Sequence, residues 1–157
     1  MKRIHFFIAV LFAIVTHLSV NAQSKSGESI LYEHADKCLT AMENTALKMQ
    51  VKGVALLAYI PGDTSISWIS KMKVVGAMSN ESSNYLAVAY SKAAEMAETL
   101  KNSGSGIREP KLGEFGWQGG IIKKVKEGYI LSAFSGATGE QDVEIATVGL
   151  KQLISVY

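Results

Sequence analysis

The sequence predicts a single α+β domain in which helices pack on a largely antiparallel sheet. Three observations carry this reading. Leu31, Ala35, Cys38, Leu39, Met42, Ala46 and Met49 recur at three- and four-residue steps, the stripe of an amphipathic helix. Residues 54–60 form a continuous apolar run of strand length that needs cover on both faces, which places it inside a sheet. Residues 121–125 and 129–135 read as two strands joined through Lys126, Glu127 and Gly128, a hairpin.

Residues 1–22 read as a secretory signal peptide. Lys2 and Arg3 form a short positive start, residues 6–15 are unbroken apolar, and Val20, Asn21 and Ala22 supply a cleavage site. The apolar run is too short to span a bilayer, so the expectation is export, periplasmic or extracellular, with no stable membrane anchor. Cleavage leaves 135 of the 157 residues, a length suited to one compact domain at 23–157. It also takes Lys2 and Arg3 out of 16 Lys+Arg, leaving 14 basic against 14 acidic residues. A formally neutral chain with one small basic cluster, Lys123, Lys124 and Lys126, lacks the concentrated basic face that nucleic acid requires.

The remaining elements follow in order. The first helix is expected from Ser29, with Lys52-Gly53 closing it. Pro61-Gly62-Asp63 is a turn signature, proline setting φ and glycine accepting positive φ. Ile66 and Trp68 alternate with polar neighbours and begin a second strand segment over residues 66–78. Residues 80–83 offer N-cap candidates for a second helix running to about Ser103, with Gly104 as its stop. Its expected buried face is Leu86, Tyr90, Ala93, Ala97 and Leu100. Residues 101–120 form a long connection rich in glycine, and Phe115 and Trp117 within it argue for a loop that docks rather than wanders. Thr138 and Gln141 have the spacing of a capping box and open the last helix. That helix is apolar on two sides, Val143, Ala146, Leu150, Leu153 and Ile154 against Ile145, Val148 and Val156. Another element or a second subunit must cover it.

Few residues carry chemistry. Beyond the signal segment His34 is the sole histidine, four residues before Cys38 on the same helix face. An imidazole at the rim of an apolar surface suits an axial haem ligand, or is simply a half-exposed helix residue. As a non-haem metal site the His34–Cys38 pair is too few ligands. Cys38 falls on the apolar stripe and is expected to be a buried free thiol. Met72, Met78 and Met96 are soft contacts or core fillers. Trp68, Phe115, Trp117 and Tyr129 are candidates for stacking on a flat ligand, Trp117 the strongest because of its loop. Glu140 and Asp142 open a helix, where the dipole favours carboxylates, and Glu95 and Glu98 read as a solvated face. No Gly-x-Ser-x-Gly elbow or phosphate-cradling Gly-Lys-Ser/Thr loop is present, so no hydrolytic or phosphoryl-transfer reading stands.

From Gly119-Gly120 through Gly128, Ser135-Gly136-Ala137 and Glu140-Gln141-Asp142 to Gly149, the chain resembles the GlcG/HbpS family of small haem-binding-type domains. The segment from Ala87 to Lys92-Ala93 is similar to that family's Ala-x-x-Lys-Ala helix opening, and Ser70-Lys71-Met72 with Gly76-Ala77 stands where it shows Arg-Met-Asp-Gly-Ala. Lys71 and Lys73 replace the expected Arg and Asp. The resemblance implies a profilin-like α+β domain, homo-oligomeric through the C-terminal helix, that binds haem or a related tetrapyrrole. On it His34 is the iron ligand, with Met72, Phe115 and Trp117 as pocket contacts. A non-catalytic interaction or sensor subunit with a vestigial pocket is the alternative, and a haem-dependent redox or haem-degrading activity a third.

Overall fold

The computed structural model describes residues 26–62 and 68–157. The signal-peptide reading of residues 1–22, Asp63 of the expected turn and Ile66 of the expected strand lie outside the described residues.

Helix α1, Gly27–Lys48, starts two residues before Ser29 because Ser26 caps it, its hydroxyl accepting the Ser29 N–H. Leu31, Ala35, Cys38, Leu39, Met42 and Ala46 are buried along one side, as the spacing predicts. Cys38 is a buried free thiol whose pKa burial raises. Strand β1, Gly53–Pro61, is buried on both faces from Gly53 to Ile60. It pairs antiparallel with β2, Ile69–Val75, on one side and with β4, Gly128–Ser135, on the other. Strand β3, Gly120–Val125, completes an antiparallel sheet of order β2-β1-β4-β3.

Helix α2, Tyr85–Thr99, is capped by the Asn84 side chain, just beyond the expected 80–83 segment. It also ends short of the expected Ser103. Leu100 adopts φ 54° and turns its N–H back onto the Met96 carbonyl, so a left-handed residue, not Gly104, stops it. Of the expected buried face Ala93 and Ala97 are buried and Leu86, Tyr90 and Leu100 half-buried, while the buried side runs instead through Val88, Ala89, Ser91, Lys92, Glu95 and Met96. The last helix, α3, Gly139–Ile154, opens on the predicted capping box, with the Thr138 side chain accepting from the Gln141 backbone and the Gln141 side chain from Thr138.

The strand alternation divides two cores. Ala55, Leu57, Tyr59, Ile130 and Phe134 face α1 and α3, while Val54, Leu56, Ala58, Ile60 and Leu131 face α2. The domain is therefore an antiparallel sheet with two helices on one face and one on the other, the α+β class the sequence predicts. The two apolar sides of α3 have a partial explanation within the chain: Ile145, Ala146, Leu150 and Leu153 are buried, Val148 half-buried and Ile154 exposed. At the C terminus the Tyr157 ring stacks on Tyr59 at 5.6 Å, and its hydroxyl donates to the Gly27 carbonyl. Among the described residues, no helix is long and apolar enough to cross a membrane.

Gln50, exposed and just past α1, sits at φ 57°. Gln50→Gly is expected to raise the urea-unfolding free energy by about 0.5–1 kcal/mol, because only glycine holds that conformation without a Cβ penalty.

Candidate functional site

The site begins with a lysine in the wrong place for a lysine. Lys92 lies on the sheet-facing side of α2 between Ala89, Ala93 and Met96, and is 2% exposed. Small neighbours let its stem run inward to the far end of the sheet. There Nζ donates to the Phe134 carbonyl at 2.7 Å and to Asp142 Oδ2 at 2.7 Å. Asp142, in the first turns of α3, accepts the Ala137 N–H on its other oxygen at 3.0 Å. One ion pair thus joins α2, β4 and α3. Burial pushes the Asp142 carboxyl up to about 6 against the pull of Lys92, and burial lowers Lys92 from its ordinary value.

Two glycines make room for it. Gly119 has φ +124°, and a Cβ there would run into Lys92 Nζ and Asp142 Cβ. Gly136 has φ +142°, and a Cβ would strike the Lys52 carbonyl, so the turn from β4 into α3 requires glycine.

Above the pair lies a cavity of about 580 Å³. Asn80, Ser83 and Tyr85 form its wall at the start of α2, Ser135, Gly136 and Ala137 its floor, and Glu140 its edge at the start of α3. Trp117 and Gln118 close the remaining side. The Trp117 ring is half exposed and is backed by Phe115, whose ring stacks on it at 4.9 Å.

The loop that carries this aromatic pair is stapled. Arg108 donates to both carboxylate oxygens of Glu114 at 2.7 and 2.8 Å, and the Lys111 N–H donates to Glu114 at 2.8 Å. Arg108 and Lys111 both also pair with Glu98 on α2. The Phe115 N–H reaches Ser91 Oγ at 3.1 Å, and the Gly104 N–H reaches Glu95 Oε1 at 2.9 Å. Glu95 is therefore buried and structural, not part of the solvated face expected for it, because it ties down the residues that follow α2. The Arg108 guanidinium holds the Glu114 carboxyl down at about 2.

The residues singled out from the sequence do not converge. Trp117 lines the cavity and Phe115 supports it from behind. His34, on the far face of the sheet, lines a separate hollow of about 210 Å³ with Lys37, Cys38, Gln152, Ser155 and Val156. Its Nε2 lies 3.9 Å from Glu33. Met72 is half-buried on β2, against the core beneath α2, and lines neither space. Haem ligated by His34 fits this arrangement poorly. Among the described residues, the hollow beside the imidazole is small and has no aromatic wall, and the larger cavity has no histidine, cysteine or methionine in its lining. Among the described residues no cluster of three or more His, Cys, Asp or Glu side chains is placed to hold a metal ion.

Lys92, Asp142 and Gln118 were not legible as site residues. A lysine at helical spacing from Val88, Ala89 and Met96 was the available signal for the first, since such a charge is rarely buried without a partner.

No family model matches the chain, and no curated protein matches it. Among solved structures it is similar to the crystal structure of Ybr137w protein, with a TM-score of 0.51, 15% identity, and 80% of each chain covered. At that identity the likeness shows the fold alone.

Two outcomes follow from the pair and the staple. Lys92→Met and Asp142→Leu should each lower stability by about 3–5 kcal/mol in urea titrations, while the double variant regains most of the loss, because neither charge is then left buried alone. The Glu114 carboxyl is depressed from 4.5, so the staple is intact above that pH and is lost as pH falls towards 2. In a Trp68→Phe background, Trp117 emission should shift over that acid range, and Glu114→Gln should show the shifted emission already at neutral pH.

Proposed function

We propose that this chain is an exported small-ligand-binding domain whose site is the cavity beneath Trp117. The observation that carries the reading is a preformed space of about 580 Å³ with an aromatic wall held in position by a stapled loop. That volume lies within the roughly 300–1,000 Å³ of ordinary small-molecule sites. Lys92 and Asp142 are engaged with each other, so the arrangement supports binding rather than turnover.

The tetrapyrrole implied by the GlcG/HbpS resemblance is the first ligand to test, and it has to enter this cavity without His34. A hemin titration followed by Soret absorbance and Trp117 quenching, on the parent chain, Ala137→Trp and His34→Ala, decides the site. Saturable binding abolished by the cavity-filling Ala137→Trp and unchanged in His34→Ala is expected. The reverse pattern moves the ligand to the His34 hollow and overturns the cavity reading. No hemin response at all removes the tetrapyrrole.

A second reading, a self-associating interaction subunit, is favoured by an apolar hollow of about 310 Å³ between β3 and α3, where Ile121, Leu150 and Ile154 meet. It predicts an oligomer by light scattering that Ile154→Glu dissociates, and a monomeric parent chain removes it.

A further inference from the structure

The charge lining the Trp117 cavity is uneven. Among the described residues that line it, Lys92, Asp142 and Glu140 carry charge. Lys92 and Asp142 cancel each other at 2.7 Å. Glu140 forms no ion pair among the described residues and is solvent-exposed at the rim. The start of α3 offsets part of its charge, about half an elementary charge at a helix N terminus, and the described lining keeps a net negative charge. A carboxylate or phosphate that reaches Glu140 meets an unneutralised carboxylate, so a tetrapyrrole bound here keeps its propionates at the mouth, away from Glu140.

The neutral lining has the same preference. Trp117 and Tyr85 present aromatic rings, whose negative faces attract cations. Ser83, Gln118 and Ser135 supply side-chain oxygens that can accept from N–H donors and groups that can donate as well, while the Asn80 oxygen is already taken by Ser82 and Ser83. The Phe115 ring stacks on Trp117 at 4.9 Å with 30° between the planes.

We infer that the cavity takes an organic cation, a planar ring system bearing a protonated or quaternary nitrogen, with Glu140 as its counter-charge and Trp117 as its stacking face. This rests on the cavity being the binding site and names the class of ligand it selects. Asp142 is excluded as the counter-charge, because Lys92 and the Ala137 N–H already hold its two oxygens.

Three dyes of one shape separate the possibilities: 9-aminoacridine, a cation at neutral pH, acridine, neutral there, and acridine-9-carboxylate, an anion. Fluorescence titration of the full chain should show 9-aminoacridine binding at least about tenfold tighter than acridine, the worth of one charge-assisted contact. Glu140→Gln should erase that advantage while acridine still binds, and Ala137→Trp should abolish binding of both. Acridine or the carboxylate binding as tightly as the cation, with loss in Ala137→Trp, overturns the cation assignment and leaves the cavity as the site. An advantage that survives Glu140→Gln overturns the role of Glu140. Failure of all three dyes to bind overturns the cation assignment, and the hemin titration then decides the cavity separately.

Discussion

A lysine ammonium in a protein interior is tolerated only with a counter-charge and hydrogen bonds around it, and Lys92 has both. The consequence reaches well beyond one pair. To give Lys92 its partner, α3 must begin where Asp142 meets the end of β4, which fixes the turn through Ser135, Gly136 and Ala137. To give Nζ space, Gly119 must lie against it with no side chain, which fixes how the long loop enters β3. The cavity is the room left between these constraints and the Trp117 loop. Its floor cannot drift while the ion pair holds.

The two halves of the site are secured by different physics. The floor depends on a buried pair in a low-dielectric setting, where losing one partner strands the other charge. The wall depends on a staple at the surface, in which Arg108 grips a nearly buried Glu114 through both carboxylate oxygens and Glu98 and Lys111 extend the network on the exposed side. Salt therefore acts on the wall before the floor, whereas falling pH reaches the Asp142 carboxyl, raised to about 6, before the Glu114 carboxyl, held at about 2.

Much of the fold was legible in the sequence. The α1 stripe, the buried β1 run, the β3–β4 hairpin and the Thr138–Gln141 box each declare themselves through periodicity or capping chemistry, and all four are in the structure. The end of α2 was not, because Leu100 takes a left-handed conformation that glycine usually signals. Glu95 was misplaced on a solvated face because its partner is a backbone N–H nine residues on, which no local pattern reveals. The site was legible only in Trp117 and, behind it, Phe115. His34 drew notice as a unique imidazole, yet uniqueness carries no information about what lies opposite, and it faces a hollow across the sheet from Trp117. Lys92 and Asp142 stand fifty residues apart, and their pairing is a property of the assembled sheet.

The central claim is that Lys92 is a charged, sequestered ammonium locked to Asp142. Side-chain ¹⁵N spectroscopy of the lysine ammonium groups at neutral pH tests it most directly. The account predicts one slowly exchanging lysine ammonium signal, correlated with the Asp142 carboxyl and absent in Lys92→Met. A spectrum in which every lysine exchanges with water at the rate of an exposed side chain would contradict it, and the cavity floor with it.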